Sequence, residues 1–137
     1  MSAPEGYIQV AHGRMTVNIP RSLFKGAEAE LDAKKAEEYG ELLLSRYPWL
    51  KPGSLEVIYK NARREMLRVL DEETGGRNES IRMENKGDLE GAIRHLRKKL
   101  EEDPEDSDTW MALGNLLCKA GRAKEGYEAI NRARSLY

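Results

Sequence analysis

The chain has 137 residues, of which 39% are hydrophobic and 34% charged, with 23 Lys and Arg against 24 Asp and Glu. That length allows one ordinary domain or two very small ones, and a net charge of -1 gives no whole-chain attraction to nucleic acid or anionic lipid. No apolar run approaches a membrane span, no signal-peptide core opens the chain, and a single cysteine excludes an internal disulfide or a Cys-based zinc cluster, so the expected compartment is the reducing cytoplasm.

The N-terminus has the two-residue period of strands. Tyr7-Ile8-Gln9-Val10 and Met15-Thr16-Val17-Asn18-Ile19 read as two strands, and Ala11-His12-Gly13 can turn between them. Pro20 then suits the first position of a helix, where a missing N–H costs nothing. That helix would present Leu23, Phe24, Ala27 and Leu31. The apolar rhythm lapses at Asp32-Ala33-Lys34-Lys35 and resumes at Tyr39, Leu42, Leu43 and Tyr47. Strand, proline, helix, helix over residues 14–47 resembles a ribbon-helix-helix protein, on the stretch Arg14-Met15-Thr16-Val17-Asn18-Ile19-Pro20-Arg21-Ser22-Leu23. That resemblance implies a strand paired between two chains, with Arg14, Thr16 and Asn18 entering the DNA major groove. The other reading is a hairpin within one chain, its polar residues facing water.

Residues 54–72 form the clearest helix. Leu55, Ile58, Tyr59, Ala62, Met66, Val69 and Leu70 recur at helical spacing, with Ser54 as a candidate N-cap. Lys60, Arg63, Arg64 and Arg68 occupy the other side, which reads as a solvated face or a contact for phosphate or acidic peptide. Gly75-Gly76 then breaks the pattern, so a helix before Gly87 is either short, from about Asn78, or absent.

The last third is the most informative. Trp110, Leu113, Gly114 and Leu117 line one helix face that stops before Gly121, and Tyr127, Ile130, Ala133 and Leu136 are expected inward on the next helix. Small residues at Gly114 and Gly126 let two antiparallel helices approach closely. This segment resembles a tetratricopeptide repeat, with its W-x2-L-G-x2-L run and turn glycine. Lys86-Gly87-Asp88-Leu89-Glu90-Gly91-Ala92-Ile93, the stripe of Leu96 and Leu100, and Asp103-Pro104 resemble the end of a preceding repeat. Gly87 and Gly121 are 34 residues apart, as are Leu96 and Ile130. The helix 54–72 is expected to cap the degraded first repeat. The chain stops after the last repeat's second helix, which would leave Tyr127, Ile130 and Leu136 as an apolar strip.

No catalytic constellation emerges. Cys118 stands on the apolar helix beside Leu117, and His12 and His95 have no carboxylate partner at helical spacing. The acidic run Glu101–Asp108 lacks the spacing and central glycine of a calcium loop. No enzyme activity, metal or cofactor is expected. The predicted fold class is mainly α, α+β overall, with an N-terminal hairpin or ribbon over residues 1–50, a capping helix and linker over 51–77, and repeat-like antiparallel helix pairs over 78–137. The tetratricopeptide resemblance implies a protein or peptide partner, or a second copy of this chain, held by Asp108, Met111, Asn115, Cys118 and Lys119 on a concave face. Met111 stands where carboxylate-binding members of that family carry lysine, so capture of a C-terminal carboxylate is not expected. A nucleic-acid partner belongs only to the ribbon alternative, and no membrane partner is expected.

Overall fold

The computed structural model describes residues 3–137, and the chain divides into two compact units with the boundary between Val69 and Leu70. The elements in order are β1 (Tyr7–His12), β2 (Met15–Pro20), a 3-10 turn (Arg21–Leu23), β3 (Phe24–Lys25), β4 (Glu30–Leu31), α1 (Ala33–Arg46), α2 (Pro52–Glu73), α3 (Arg77–Asn85), α4 (Leu89–Glu102), α5 (Ser107–Lys119) and α6 (Ala123–Ser135). The helix α2 crosses the boundary between the units.

In the first unit, β1 and β2 pair antiparallel within the chain, with Ile8 opposite Ile19 and Val10 opposite Val17. Those four side chains are buried, whereas Thr16 and Asn18 on the alternate face are exposed. The loop has two residues, Gly13 and Arg14, rather than the expected Ala11-His12-Gly13 turn, because Gly13 takes a positive φ of 61° at its first position. This pairing corrects the ribbon-helix-helix reading. The strand partner that a two-chain ribbon draws from a second subunit is β1 of the same chain, and Arg14 lies in the loop instead of the strand.

No long helix follows Pro20 either. The 3-10 turn leads into the short β3–β4 pair, in which Phe24 faces Leu31, and Gly26 takes a left-handed φ of 67° between them. A helix rhythm and this compact turn both place Leu23 and Phe24 inward, so apolar spacing alone does not separate them. The lapse at residues 32–35 is the start of α1. Asp32 caps it by accepting from the backbone N–H of Lys34 at 3.1 Å and of Lys35 at 3.2 Å. The bond from the Lys35 N–H, followed by the Lys25 ammonium, holds the Asp32 carboxyl below the usual carboxylate range.

The helix α2 starts at Pro52, two residues before the expected cap at Ser54, since proline fits the first helical position. It buries Ile58, Ala62 and Met66 and exposes Lys60, Arg63, Arg64 and Arg68. Two tyrosines stitch the unit together: Tyr39 donates to the Asn18 carbonyl at 2.6 Å and Tyr59 to the Ala36 carbonyl at 2.6 Å. Burial, with the Tyr39 hydroxyl nearby, pushes the Tyr59 hydroxyl up to about 12. Leu42, expected on the inner stripe, is instead exposed, while Leu43 is buried.

The second unit is two helical hairpins, α3 with α4 and α5 with α6. Each hairpin turns at a glycine in the left-handed region, Gly87 at φ 84° and Gly121 at φ 81°. The turns share one hydrogen-bond pattern: the Asp88 N–H donates to the Met83 carbonyl at 2.9 Å, and the Arg122 N–H to the Leu117 carbonyl at 2.8 Å. These six-residue closures satisfy carbonyls that a helix end leaves open. They recur at the 34-residue spacing, so the sequence period is a structural one.

One core joins the hairpins. Ala92, Ile93, Leu96 and Leu100 of α4 pack with Leu113, Leu116 and Leu117 of α5 and Ala129 of α6. On α6 the inward residues are Gly126, Ala129 and Ala133, with Ile130 half-buried. Tyr127, expected inward, is 62% exposed, because the buried stripe of α6 runs through Gly126, Ala129 and Ala133 and leaves residue 127 to one side. A Cβ on Gly114 would stand 2.8 Å from the Gly126 carbonyl oxygen, and one on Gly126 would stand 2.8 Å from that of Gly114. Thirty-four residues earlier, the first hairpin has the small residues Ser80 and Ala92, both buried.

Candidate functional site

The helices α3 and α5 lie side by side in parallel, and ion pairs mark the alignment at both ends. Arg77 at the start of α3 reaches the Asp106 cap of α5 at 3.7 Å, and Lys119 at the end of α5 pairs with Glu84 near the end of α3. A second parallel pair, α4 with α6, is joined by Arg122 to Glu90 at 3.1 Å and Arg97 to Glu125 at 3.2 Å. The unit therefore has two broad faces, one built from the opening helices of the hairpins and one from the closing helices.

On the α3–α5 face, Asp108 is exposed in the first turn of α5, Met111 is half-buried and Asn115 is exposed. Lys119 is exposed but tied to Glu84, so its charge is already partly answered within the chain. Cys118 is placed differently from the expectation. Its Sγ lies where a Cβ on Gly126 would be only 2.5 Å away, so the thiol packs into the α5–α6 contact. Ile81 of α3 is a residue that sequence reasoning missed. It stands 34 residues before Asn115 and is 43% exposed. An apolar residue left in water at the equivalent position was the available signal.

The opposite face carries a cavity of 560 Å³ between α4 and α6. Leu100, Trp110, Leu113, Leu117 and Ala129 give it an apolar floor. Trp110 is half-buried there, and its indole N–H donates to the Pro104 carbonyl at 2.7 Å. Trp110→Ala is expected to lower the stability of this unit by about 2–3 kcal/mol, less than a fully enclosed tryptophan would. A shift in the urea midpoint of the far-ultraviolet circular dichroism measures it.

His95 has a partner that helical spacing cannot reveal. Its Nε2 lies 2.8 Å from the Gly76 carbonyl oxygen and 3.6 Å from Glu79 of α3, so it braces the Gly75-Gly76 turn. Beside it, Arg82 holds Asp71 at 2.8 Å. These contacts explain how α3 forms directly after two glycines, Gly75 at φ 62° and Gly76 at φ 90°. Among the described residues, no helix is long and apolar enough to cross a membrane, and no group of three or more His, Cys, Asp or Glu is placed to hold a metal ion.

The family model described as tetratricopeptide repeat matches residues 86–136. The match begins at the turn into α4 and runs through α5 and α6, leaving α3 outside it. No curated protein is matched by the chain. Turn geometry, period and family match agree over residues 86–136: this part of the chain is a tetratricopeptide repeat, a family of protein–protein interaction modules.

Proposed function

We propose that the chain is an adaptor or assembly factor that holds a peptide segment of a partner protein on the α3–α5 face. The observation that carries this reading is the parallel alignment of α3 and α5, which leaves Ile81 and Asn115 exposed at equivalent positions. An amide on a rigid helix can accept from and donate to a peptide backbone at once. Ile81 and half-buried Met111 offer the apolar seat, and Asp108 with the Glu84–Lys119 pair forms a polar rim. Cys118 does not join this surface, since its thiol packs into the α5–α6 contact. Two hairpins give a shallow groove, so binding rests on a few contacts, and loss of one matters.

The test begins with peptides selected against the full chain from a random-sequence display library. Their affinities are then measured for Asn115→Ala and Ile81→Lys. Each variant is expected to weaken binding by about tenfold, the effect of losing one well-made hydrogen bond or apolar anchor. Selected peptides that bind both variants as tightly as the parent would place recognition elsewhere on the chain.

A further inference from the structure

The first unit holds a cleft of 590 Å³ that the peptide-binding reading does not use. It is lined by His12, Arg14 and Met15 of the β1–β2 hairpin and by Trp49, Leu50, Lys51 and Ser54 around the start of α2. Trp49 is 69% exposed, an unusual position for the largest apolar side chain in a unit that buries Leu50 beside it. The Tyr47 and Trp49 rings make a T-shaped contact, with centroids 5.5 Å apart and planes at 63°, which restricts the indole while most of it stays in water. Arg14 and Lys51 are exposed, neither is in an ion pair among the described residues, and the lining includes no carboxylate. An exposed aromatic ring flanked by unanswered cations and an imidazole is a recognition chemistry for a flat ring carrying an anionic group.

We propose that this cleft binds a nucleotide, with the base stacked on Trp49 and the phosphate held by Arg14 and Lys51. His12 and the Ser54 hydroxyl supply further hydrogen-bonding groups. The volume lies in the range of small-ligand sites. This mode differs from the reading of a duplex groove by a two-chain ribbon, since it uses one chain and an unstacked base. The ligand's chemistry is the same for a free mononucleotide and for one unit of a single strand.

The experiment is a fluorescence titration of the full chain carrying Trp110→Phe, so that Trp49 is the only indole, with TMP and separately with a short oligothymidylate as probes. Saturable quenching by at least one probe is expected within about 1 mM, the weak end of specific recognition. Arg14→Gln with Lys51→Gln should weaken that binding by about tenfold or more, as loss of charge-assisted contacts does. Inorganic phosphate should compete without quenching. Oligothymidylate binding tighter than TMP by about tenfold or more identifies a strand as the ligand, through several stacked bases. Similar affinities identify a free nucleotide, and either result supports the site. Unsaturated quenching by both probes, or equal affinity in the charge-neutral variant, overturns it. Because that variant changes only exposed side chains, an unchanged circular dichroism spectrum keeps the comparison valid.

Discussion

Leu96→Ala is expected to lower the stability of the second unit by about 3–5 kcal/mol. Leu96 has no exposed surface and lies where α4 meets α5, in the core that joins the two hairpins. Truncation there removes transfer free energy and leaves a cavity, and the helices cannot close it while Gly87 and Gly121 hold their turns. A unit of this size has only a few kcal/mol to lose, so the variant should lie near its unfolding midpoint at ambient temperature. The measurement is a urea titration of Trp110 fluorescence in a Trp49→Phe background, which reports the second unit alone. A loss under about 1 kcal/mol would mean that the hairpins do not share this core.

The second large effect concerns Gly126→Ala, where the sign is the informative part. In an exposed helix interior, glycine to alanine gains about 0.5–1 kcal/mol from lost chain freedom in the unfolded state. At Gly126 the added carbon would stand 2.5 Å from the Cys118 Sγ and 2.8 Å from the Gly114 carbonyl oxygen. The thiol can rotate away, but the carbonyl belongs to α5 and cannot move without the helix. The expected result is a loss of about 1–3 kcal/mol, as for overpacking. Gly53→Ala, in the open first turn of α2 with nothing within 4 Å, should instead gain about 0.4–1 kcal/mol. Thermal melts of the two variants beside the parent check both signs, and a stabilised Gly126→Ala would contradict the close approach of α5 and α6.

The repeat region was the most legible part of the chain because its signals are local and redundant. Gly87 and Gly121 mark turns that only a left-handed residue makes easily, and Leu96, Leu113 and Leu117 keep helical spacing between them. The short α3 was legible as one of two alternatives, from Asn78 onward. What decides in its favour is tertiary: the His95 contact to Gly76 and the Arg82–Asp71 pair brace it from other helices. The N-terminal unit was harder to read, because Leu23, Phe24, Ala27 and Leu31 satisfy a helix template while Gly26 and the Asp32 cap favour a turn. There, capping chemistry outweighed periodicity.

The candidate site shows the same division. Asn115 and Asp108 could be placed from spacing alone, since an α5 with Leu113 and Leu117 inward must expose them. Cys118 and Tyr127 were misplaced because helical spacing tells which residues share a face but not how near the neighbouring helix comes. Gly114 and Gly126 set that distance and admit the thiol, and the buried stripe of α6, centred on Gly126, Ala129 and Ala133, leaves Tyr127 at its flank.

The two sets of ion pairs between parallel helices bear on how the hairpins find their alignment. Exposed pairs of this kind add little stability, about 0–1 kcal/mol each. An apolar interface made of leucines and alanines tolerates sliding, since one methyl group substitutes readily for another. A slip of one helical turn, about 5.4 Å, would carry Lys119 past Glu84 and Asp106 past Arg77 together, and a matching slip of α6 would part Arg122 from Glu90. The charges thus act as a vernier scale on a smooth slide: they contribute little to holding the hairpins together, but they distinguish one stacking offset from its neighbours.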